Sequence, residues 1–328
     1  SAAMTTNADI VNLYPAQHVA TLPSLLKAVA DDSRLQILRV MVKDSFNVSE
    51  LCEIFGARQN ALSHHLKILI EAGLLSRKRE GTSTFYHRAL ASGTLAAFQK
   101  HLESVIDTEP LLDTTKKGVT RVQKLRENNS ATFFKNNAKR FRDQQELIAP
   151  WRDYSNITLQ LIDRCKDSQS PRIVDIGVGE GWLIPELARR GTEVFALDLS
   201  QEMLNLAERF AGTLPRVRFI KGSTDTLITT GVTAEVAIAN MVLHHTPRPE
   251  KMLIEAAQIL TVGGALIVSE LCAHDQAWAR EHCGDLWLGF TPEQLEEWAI
   301  KAGFKRVASV FLAQRNGFQI QVQHFERC

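Results

Sequence analysis

The run Val174-Asp175-Ile176-Gly177-Val178-Gly179-Glu180-Gly181 is the sharpest chemical signal in the chain. A β-prone stretch leads into three glycines at alternate positions, and glycine lets a backbone approach a ligand where a side chain would collide. Asp198 follows at the end of the next strand-like run. A carboxylate there can take two ribose hydroxyls by bidentate hydrogen bonding, as in dinucleotide folds. The spacing narrows the choice of nucleotide. A dinucleotide fingerprint needs G-x-G-x-x-G, and Trp182 and Ile184 occupy the positions that would complete it. No G-x-x-x-x-G-K-[ST] phosphate loop occurs. Glycines also serve plain βα turns, so the loop alone leaves the ligand open.

Three histidines behind this loop, His244, His245 and His274, carry imidazoles, whose ordinary range lies near neutrality, and are the candidate bases if a substrate must lose a proton. His244-His245 at a strand end also fits a purely structural role. Trp278, Arg280, Asp285 and Trp287 could shape an acceptor pocket, or pack as a lid or a local core. Nearer the start, Arg58, Gln59, Asn60, Ser63, His64 and Lys67 crowd one short stretch. Arg77, Lys78, Arg79 and Arg88 flank Glu80-Gly81-Thr82. Side chains of these types contact phosphates or read base edges. Exposed polar residues on a helix are also common with no partner at all.

The elements that must carry these residues follow from periodicity. Over 22–73 the apolar spacing predicts four short helices, the last running from Gln59 to Ala72 and stopped by Gly73. Leu62, Leu66 and Leu69 would hold that helix inward. Two β-prone runs around Glu80-Gly81-Thr82 predict a hairpin with basic arms. Helix, turn, helix and basic hairpin outline a winged helix-turn-helix, whose second helix enters the major groove. Residues 92–107 regain helical spacing, 108–130 are polar enough to be a linker, and 131–166 read as helical. From Pro171 strands and helices alternate, which predicts a parallel sheet covered on both faces. Near the end Phe318, Ile320 and Val322 alternate with Gln319, Gln321 and Gln323, predicting a hairpin with an antiparallel strand.

Composition sets the outer limits. The 328 residues suit two domains, 45% are apolar and 23% charged. No run of eighteen apolar residues predicts a membrane span, and no signal peptide is expected. The five cysteines, at 52, 165, 272, 283 and 328, form no close pair. Neither a disulfide framework nor a metal site is expected, and a cytoplasmic location is. Net charge is only +1, yet residues 1–145 carry 20 basic against 14 acidic side chains while 146–328 carry 18 against 23. A basic front half suits a polyanion.

Four words in order, LLKAVADDSRLQILRVM, VSELCEIFG, ALSHHLKILIEAGLL and SRKREGTSTFYHRAL, make residues 22–90 resemble the ArsR family of bacterial repressors. That resemblance implies a winged helix binding double-stranded operator DNA as a homodimer, with the helices around 22–30 and 92–107 at the dimer interface. The family's metal sensors carry a Cys-x-Cys pair where this chain has Asn47 and Ser49, and Cys52 stands alone, so metal sensing there is not implied.

Residues 171–312 resemble class I S-adenosylmethionine (SAM) methyltransferases of the ubiquinone-biosynthesis-like group. The matching words are VDIGVGEG, ALDLSQEMLNLAE, FIKGSTDTL and IANMVLHHTPRPEKMLIEAAQILTVGGALIVSEL. The likeness implies an α/β, Rossmann-like domain with a mixed, mostly parallel seven-stranded sheet. It implies SAM as cofactor, S-adenosylhomocysteine as product and a small-molecule methyl acceptor. By the same likeness Gly177, Gly179 and Gly181 wrap the amino-acid end of SAM with Asp175 close by, Asp198 holds the ribose, Leu199 and Met203 line the adenine, and Asn240 closes the site. Relatives place Asp where Ser223 stands, with Asp225 two residues on, and Val262 replaces a usual Pro. Fusions of the two kinds form a recognisable bacterial group. It shares the words carried here by Ser130, Phe133, Phe134, Ala138 and Phe141, and by His274, Asp275, Trp278, Arg280, Gly284, Asp285, Trp287, Leu288, Gly289 and Phe290. The expected organisation is a winged-helix domain over 22–107, a linker over 108–130 and a methyltransferase domain over 131–328. The fused fold can either turn over or only sense SAM or its product.

Overall fold

A computed structural model describes residues 20–42, 44–80, 82–141, 148–165, 171–246, 248–276, 279, 283 and 285–328, with the backbone alone at 80, 127 and 129–141. Two compact units divide the chain, Ser1–Gln123 and Lys124–Cys328.

In the front unit α1 (Leu22–Val29), α2 (Asp32–Val40), α3 (Val48–Phe55) and α4 (Gln59–Glu71) precede a hairpin of β2 (Leu75–Glu80) and β3 (Ser83–Arg88). A short β1 (Phe46–Asn47) pairs with β3, giving the order β1-β3-β2. The starts are chemically marked. Thr21, Asp31 and Asn47 each accept a bond from the backbone N–H three residues on, satisfying donors a helix start leaves unpaired. Gly56 ends α3 at φ +59°, a left-handed conformation that suits glycine. Leu25, Leu38, Leu51, Leu66 and Leu69 meet in one core, each at most 1% exposed. Then come α5 (Ala96–Ile106) and α6 (Asp113–Phe141).

The segment expected as a linker is helical from Asp113 on. Its polar sequence masked a sparse apolar stripe: Val122 is buried, Val119 packs on the same core, and Gly118 sits so close to Ile54 that a Cβ would lie 2.5 Å from its carbonyl oxygen. Among the described residues of the helix only Val119 and Val122 bring apolar side chains to that core, too few to read as periodic.

The rear unit is α/β. After α7 (Trp151–Arg164) come β4 (Arg172–Ile176), α8 (Ile184–Arg190), β5 (Glu193–Asp198), α9 (Gln201–Ala211), β6 (Val217–Lys221), α10 (Thr224–Thr230) and β7 (Ala234–Asn240). Then follow a 3-10 turn at Leu243–His245, α11 (Pro249–Ile259), β8 (Leu260–Leu271), α12 (Pro292–Lys301), β9 (Phe304–Ala313) and β10 (Gln319–Arg327). The seven strands lie in the order β6-β5-β4-β7-β8-β10-β9, with β10 antiparallel to both neighbours. The order reverses between β4 and β7, and in open α/β sheets ligands bind at the carboxyl ends of strands at such a switch.

The antiparallel hairpin occurs as its period predicted, but the glutamines do not face water. Gln321 and Gln323 are buried, because this strand is covered on both faces. Gln321 donates to Phe290 O at 2.7 Å, and Gln323 donates to Gln321 Oε1 at 3.0 Å, which satisfies groups that burial would otherwise strand. Among the described residues no helix is long and apolar enough to cross a membrane.

Candidate functional site

The turn after β4 is left-handed three times over: Gly177, Gly179 and Gly181 have φ of +76°, +55° and +82°. A Cβ on Gly177 would lie 2.6 Å from Val242 Cγ2, and one on Gly181 would lie 2.8 Å from Ala207 Cα. At Gly179 it would meet nothing within 4 Å. Two glycines therefore let the loop fold tightly, and the third presents bare backbone to open space.

That space is a cleft of about 540 Å³. Asp175, Gly177, Gly179, Met203 and Asn240 line it. Trp151 and Tyr154 of α7 close another side, with Glu180, Trp182, Met241, Leu271 and His244 completing much of the wall. Asp175 is 2% exposed. Its Oδ1 and that of Asn240 are buried without a hydrogen-bond partner among the described residues. Such acceptors are costly unless a ligand supplies donors or positive charge. Burial first, and then the charge of Asp198, raise the Asp175 carboxyl to about 7. Met241, beside Asn240, holds φ +52°, a strained conformation for a side-chain-bearing residue and one that tends to cluster at functional sites.

Asp198, Leu199, Ser223 and Asp225 stand at the carboxyl ends of β5 and β6 but are not part of that wall. Asp198 Oδ1 accepts from Ser200 N at 2.9 Å, Leu199 is 73% exposed, Ser223 N donates to Thr226 Oγ1 at 3.2 Å, and Asp225 is exposed.

In the front unit α4 turns Leu62, Leu66 and Leu69 into the core and leaves Arg58, Gln59, Asn60, Ser63, His64 and Lys67 exposed. Arg77 and Arg79 are exposed on β2, while Lys78 is half-buried. Arg88 corrects the sequence reading. Its Nε and Nη2 donate to Leu38 O at 3.0 and 2.8 Å, and Nη2 lies 2.7 Å from Asp107 Oδ1. It ties the returning strand of the hairpin to the end of α2 and to the residue after α5 instead of reaching outward. Residue type and hairpin position looked the same for Arg77 and Arg88, and the register even puts both on one face of the hairpin; only the partners that α2 and Asp107 offer Arg88 decided.

A protein-family model described as "Bacterial regulatory protein, arsR family" matches residues 31–77, and one described as "Methyltransferase domain" matches 174–268. The chain joins an arsR-family regulatory domain to a methyltransferase domain. Among relatives, a ubiquinone biosynthesis O-methyltransferase of Nitrosococcus oceani is 27% identical over 194 residues, 54% of this chain and 81% of that protein. An arsenical resistance operon repressor of Bacillus subtilis is 41% identical over 61 residues, 18% of this chain and 58% of the repressor. The solved N-methyltransferase NodS from Bradyrhizobium japonicum, in complex with S-adenosyl-l-homocysteine, has a TM-score of 0.44 at 15% identity, covering 58% of this chain and 97% of that one.

The methyltransferase domain places the three candidate histidines differently. His244 lines the cleft and is 1% exposed. Its Nδ1 lies 2.5 Å from Oε1 of the fully buried Glu270, and its Nε2 lies 3.8 Å from Asp285 Oδ1. Desolvation alone would lower its pKa, but the charge and hydrogen bond of Glu270, with Asp285 behind, outweigh it and the net shift is upward. His245 is half-buried with Nδ1 3.7 Å from Asp285 Oδ1. His274 is away from the cleft wall, packed edge-on against Phe318 at 4.7 Å. Burial first, then His244, lower it to about 4.

Of the four acceptor-pocket candidates, Trp278 and Arg280 fall outside the described residues. Asp285 and Trp287 do not line the cleft. Asp285 faces the two histidines, and burial raises it to about 6, His244 lowering and Glu270 raising it further. The Trp287 indole donates to Thr246 O at 2.8 Å. Glu270, Trp151, Tyr154 and Met241 escaped the sequence reading. Trp151-x-x-Tyr154 shows helical spacing, but nothing in its pattern says that this helix borders a cleft.

Proposed function

We propose that the methyltransferase domain binds SAM in the cleft and passes its methyl group to a small molecule, while the regulatory domain binds double-stranded operator DNA as a homodimer. The observation that carries the first half is the pair of buried, partnerless acceptors, Asp175 Oδ1 and Asn240 Oδ1, beside the bare backbone of Gly179. A cationic amino-acid end supplies what they lack. In this reading Gly177, Gly179 and Gly181 wrap that end, Asp198 takes the ribose hydroxyls, and Leu199 and Met203 border the adenine. Ser223 and Asp225 bond its amino group, and Asn240 closes the site. The sulfonium drives an in-line displacement, so the protein mainly aligns donor and acceptor. The Nitrosococcus relative's name points to a phenolic hydroxyl as the class of acceptor to try first, with thiols next.

The DNA-binding half rests on the exposed row Arg58, Gln59, Asn60, Ser63, His64 and Lys67, supported by Arg77 and Arg79. Dimerisation is supported by Leu22 and Leu26 of α1 and Phe98 and Val105 of α5, all exposed. The working division is 22–107 for DNA and dimer contacts, 108–130 between, and 131–328 for SAM.

Calorimetric titration with SAM and S-adenosylhomocysteine tests the cofactor reading, with Asp198→Ala expected to weaken uptake at least tenfold. Failure of the wild-type chain to take up either at millimolar concentration overturns it. Turnover with phenols, quinols and thiols tests the acceptor, and sedimentation tests the dimer.

A second reading, a repressor that senses SAM or its product without turnover, is favoured by His244. This imidazole of the cleft wall is held by Glu270 and faces Asp285 rather than standing ready as a base. Sensing requires unequal ligand affinity for DNA-competent and incompetent states. SAM and S-adenosylhomocysteine affinities that do not change when operator DNA is added would exclude it.

A further inference from the structure

The two histidines and Asp285 meet from distant parts of the chain. His244 and His245 sit on the 3-10 turn after β7, and Asp285 comes from the segment ahead of α12. Backbone bonds hold the segments together: Leu286 N–H and Trp287 N–H both donate to His244 O, at 2.8 and 3.2 Å. One donor atom from each of the three residues lies within 4.8 Å of the other two.

The spacing within this trio is informative. Asp285 Oδ1 stands 3.7 Å from His245 Nδ1 and 3.8 Å from His244 Nε2. A direct N–H···O bond spans about 2.7–3.2 Å. Donors on a tetrahedral ion with bonds of about 2.0–2.1 Å stand roughly 3.4 Å apart. These two gaps are too wide for hydrogen bonds and within a few tenths of an ångström of the second geometry, and a nitrogen of each histidine lies within 4.8 Å of the other.

The rear of His244 fits as well. Glu270 Oε1 meets Nδ1 at 2.5 Å, and the same carboxylate accepts from the backbone of His244 at 3.3 Å and Leu271 at 2.7 Å. Glu270 is thus fixed, and a fixed carboxylate on Nδ1–H leaves Nε2, on the side of Asp285, as the nitrogen that gives up its proton when an ion binds. That carboxylate–histidine relay is the usual support behind a metal-bound imidazole.

We propose that His244 Nε2, His245 Nδ1 and the Asp285 carboxylate form a three-ligand site for a divalent transition-metal ion, with Glu270 orienting His244. Two imidazoles and one carboxylate suit zinc and its first-row neighbours, whereas calcium and magnesium prefer all-oxygen sets. His244 also lines the cleft, so the ion lies at its wall.

The test uses the full-length protein stripped with a chelator, then titrated with Zn²⁺ by calorimetry and with Co²⁺ by visible absorption. One ion per chain is expected, with cobalt d–d bands and no thiolate charge-transfer band. His245→Ala and Asp285→Asn should each weaken Zn²⁺ binding at least tenfold, and Glu270→Gln by about 10–100-fold. His101→Ala, at an exposed position of α5, should not change it. Circular dichroism on each variant separates loss of a ligand from loss of fold, and His245, half-buried on a turn, is the substitution the fold tolerates best. No saturable binding to the wild type, a thiolate band, or equal affinity in folded His245→Ala would overturn the proposal. Because these titrations contain neither SAM nor acceptor, their failure leaves the methyltransferase reading standing, and failed SAM uptake leaves the zinc result standing.

Discussion

Asp175 makes the cost of a preformed cleft measurable. Its carboxyl titrates near 7 in the fold, through burial first and Asp198 second, and near 3.9 in an unfolded chain. Between those values the folded protein holds the extra proton, so stability falls as pH rises from about 4 to about 7 and stays low above. Unliganded Asp175→Asn is therefore expected to be ~2–4 kcal/mol more stable than wild type at pH 8 and equal to it near pH 4, read by denaturant unfolding. Equal stabilities at pH 8 would contradict this. The glycines separate in the same way. Gly177→Ala combines a forbidden φ with a contact 2.6 Å from Val242 and should cost ~2–4 kcal/mol. Gly179→Ala faces open space and should cost only ~1–2 kcal/mol. If the cleft holds SAM, Gly179→Ala still weakens its uptake, because the new methyl occupies the space the ligand needs.

At the level of elements, α4 and the hairpin divide recognition from support. Arg58→Ala should lower the salt dependence of DNA binding by about one counterion and leave stability within ~0.5 kcal/mol. Arg88→Ala should leave the salt slope unchanged and lower stability by ~1–3 kcal/mol, because Leu38 O keeps only the Met41 N–H and Asp107 loses its cation. The reverse pattern would restore Arg88 to the DNA face. His87 on β3 adds an acid limit. Burial first lowers it to about 4, so it is neutral in the fold while the unfolded chain takes up a proton near 6.5. Its contribution is complete above pH 6.5 and is lost as pH falls toward 4. Amide exchange of β2 and β3 should accelerate between pH 6.5 and 4.5 beyond its intrinsic pH dependence, and His87→Gln should flatten that excess.

For the molecule as a whole, two compact units predict two unfolding transitions in a calorimetric scan. S-adenosylhomocysteine at a hundredfold excess over its dissociation constant should stabilise the unit that binds it by ~2.7 kcal/mol and move that transition alone. Movement of both transitions would reveal coupling, which the sensor reading requires. The opposed charge of the two halves has a parallel consequence: DNA affinity should fall steeply with salt, while ligand uptake at the cleft, which neutralises few charges, should respond far less.

Much was legible in the chain before folding because the signals were local. Glycine spacing, a carboxylate one strand later, helix caps and the swing of alternation into a basic hairpin each depend on neighbours a few positions away, and local sterics and periodicity carry them. The strands, the turn after Ile176 and the inward leucines of α4 followed from that. Contacts across long separations did not. That Arg88 points home while Arg77 points out depends on the carbonyl at Leu38, fifty positions earlier. Gln321 and Gln323 are buried because other elements cover both faces of β10. His244 meets Glu270 and Asp285 only once β7, β8 and the segment before α12 are packed side by side. Burial and hydrogen-bond pairing are properties of the assembled sheet, and no window of sequence contains them.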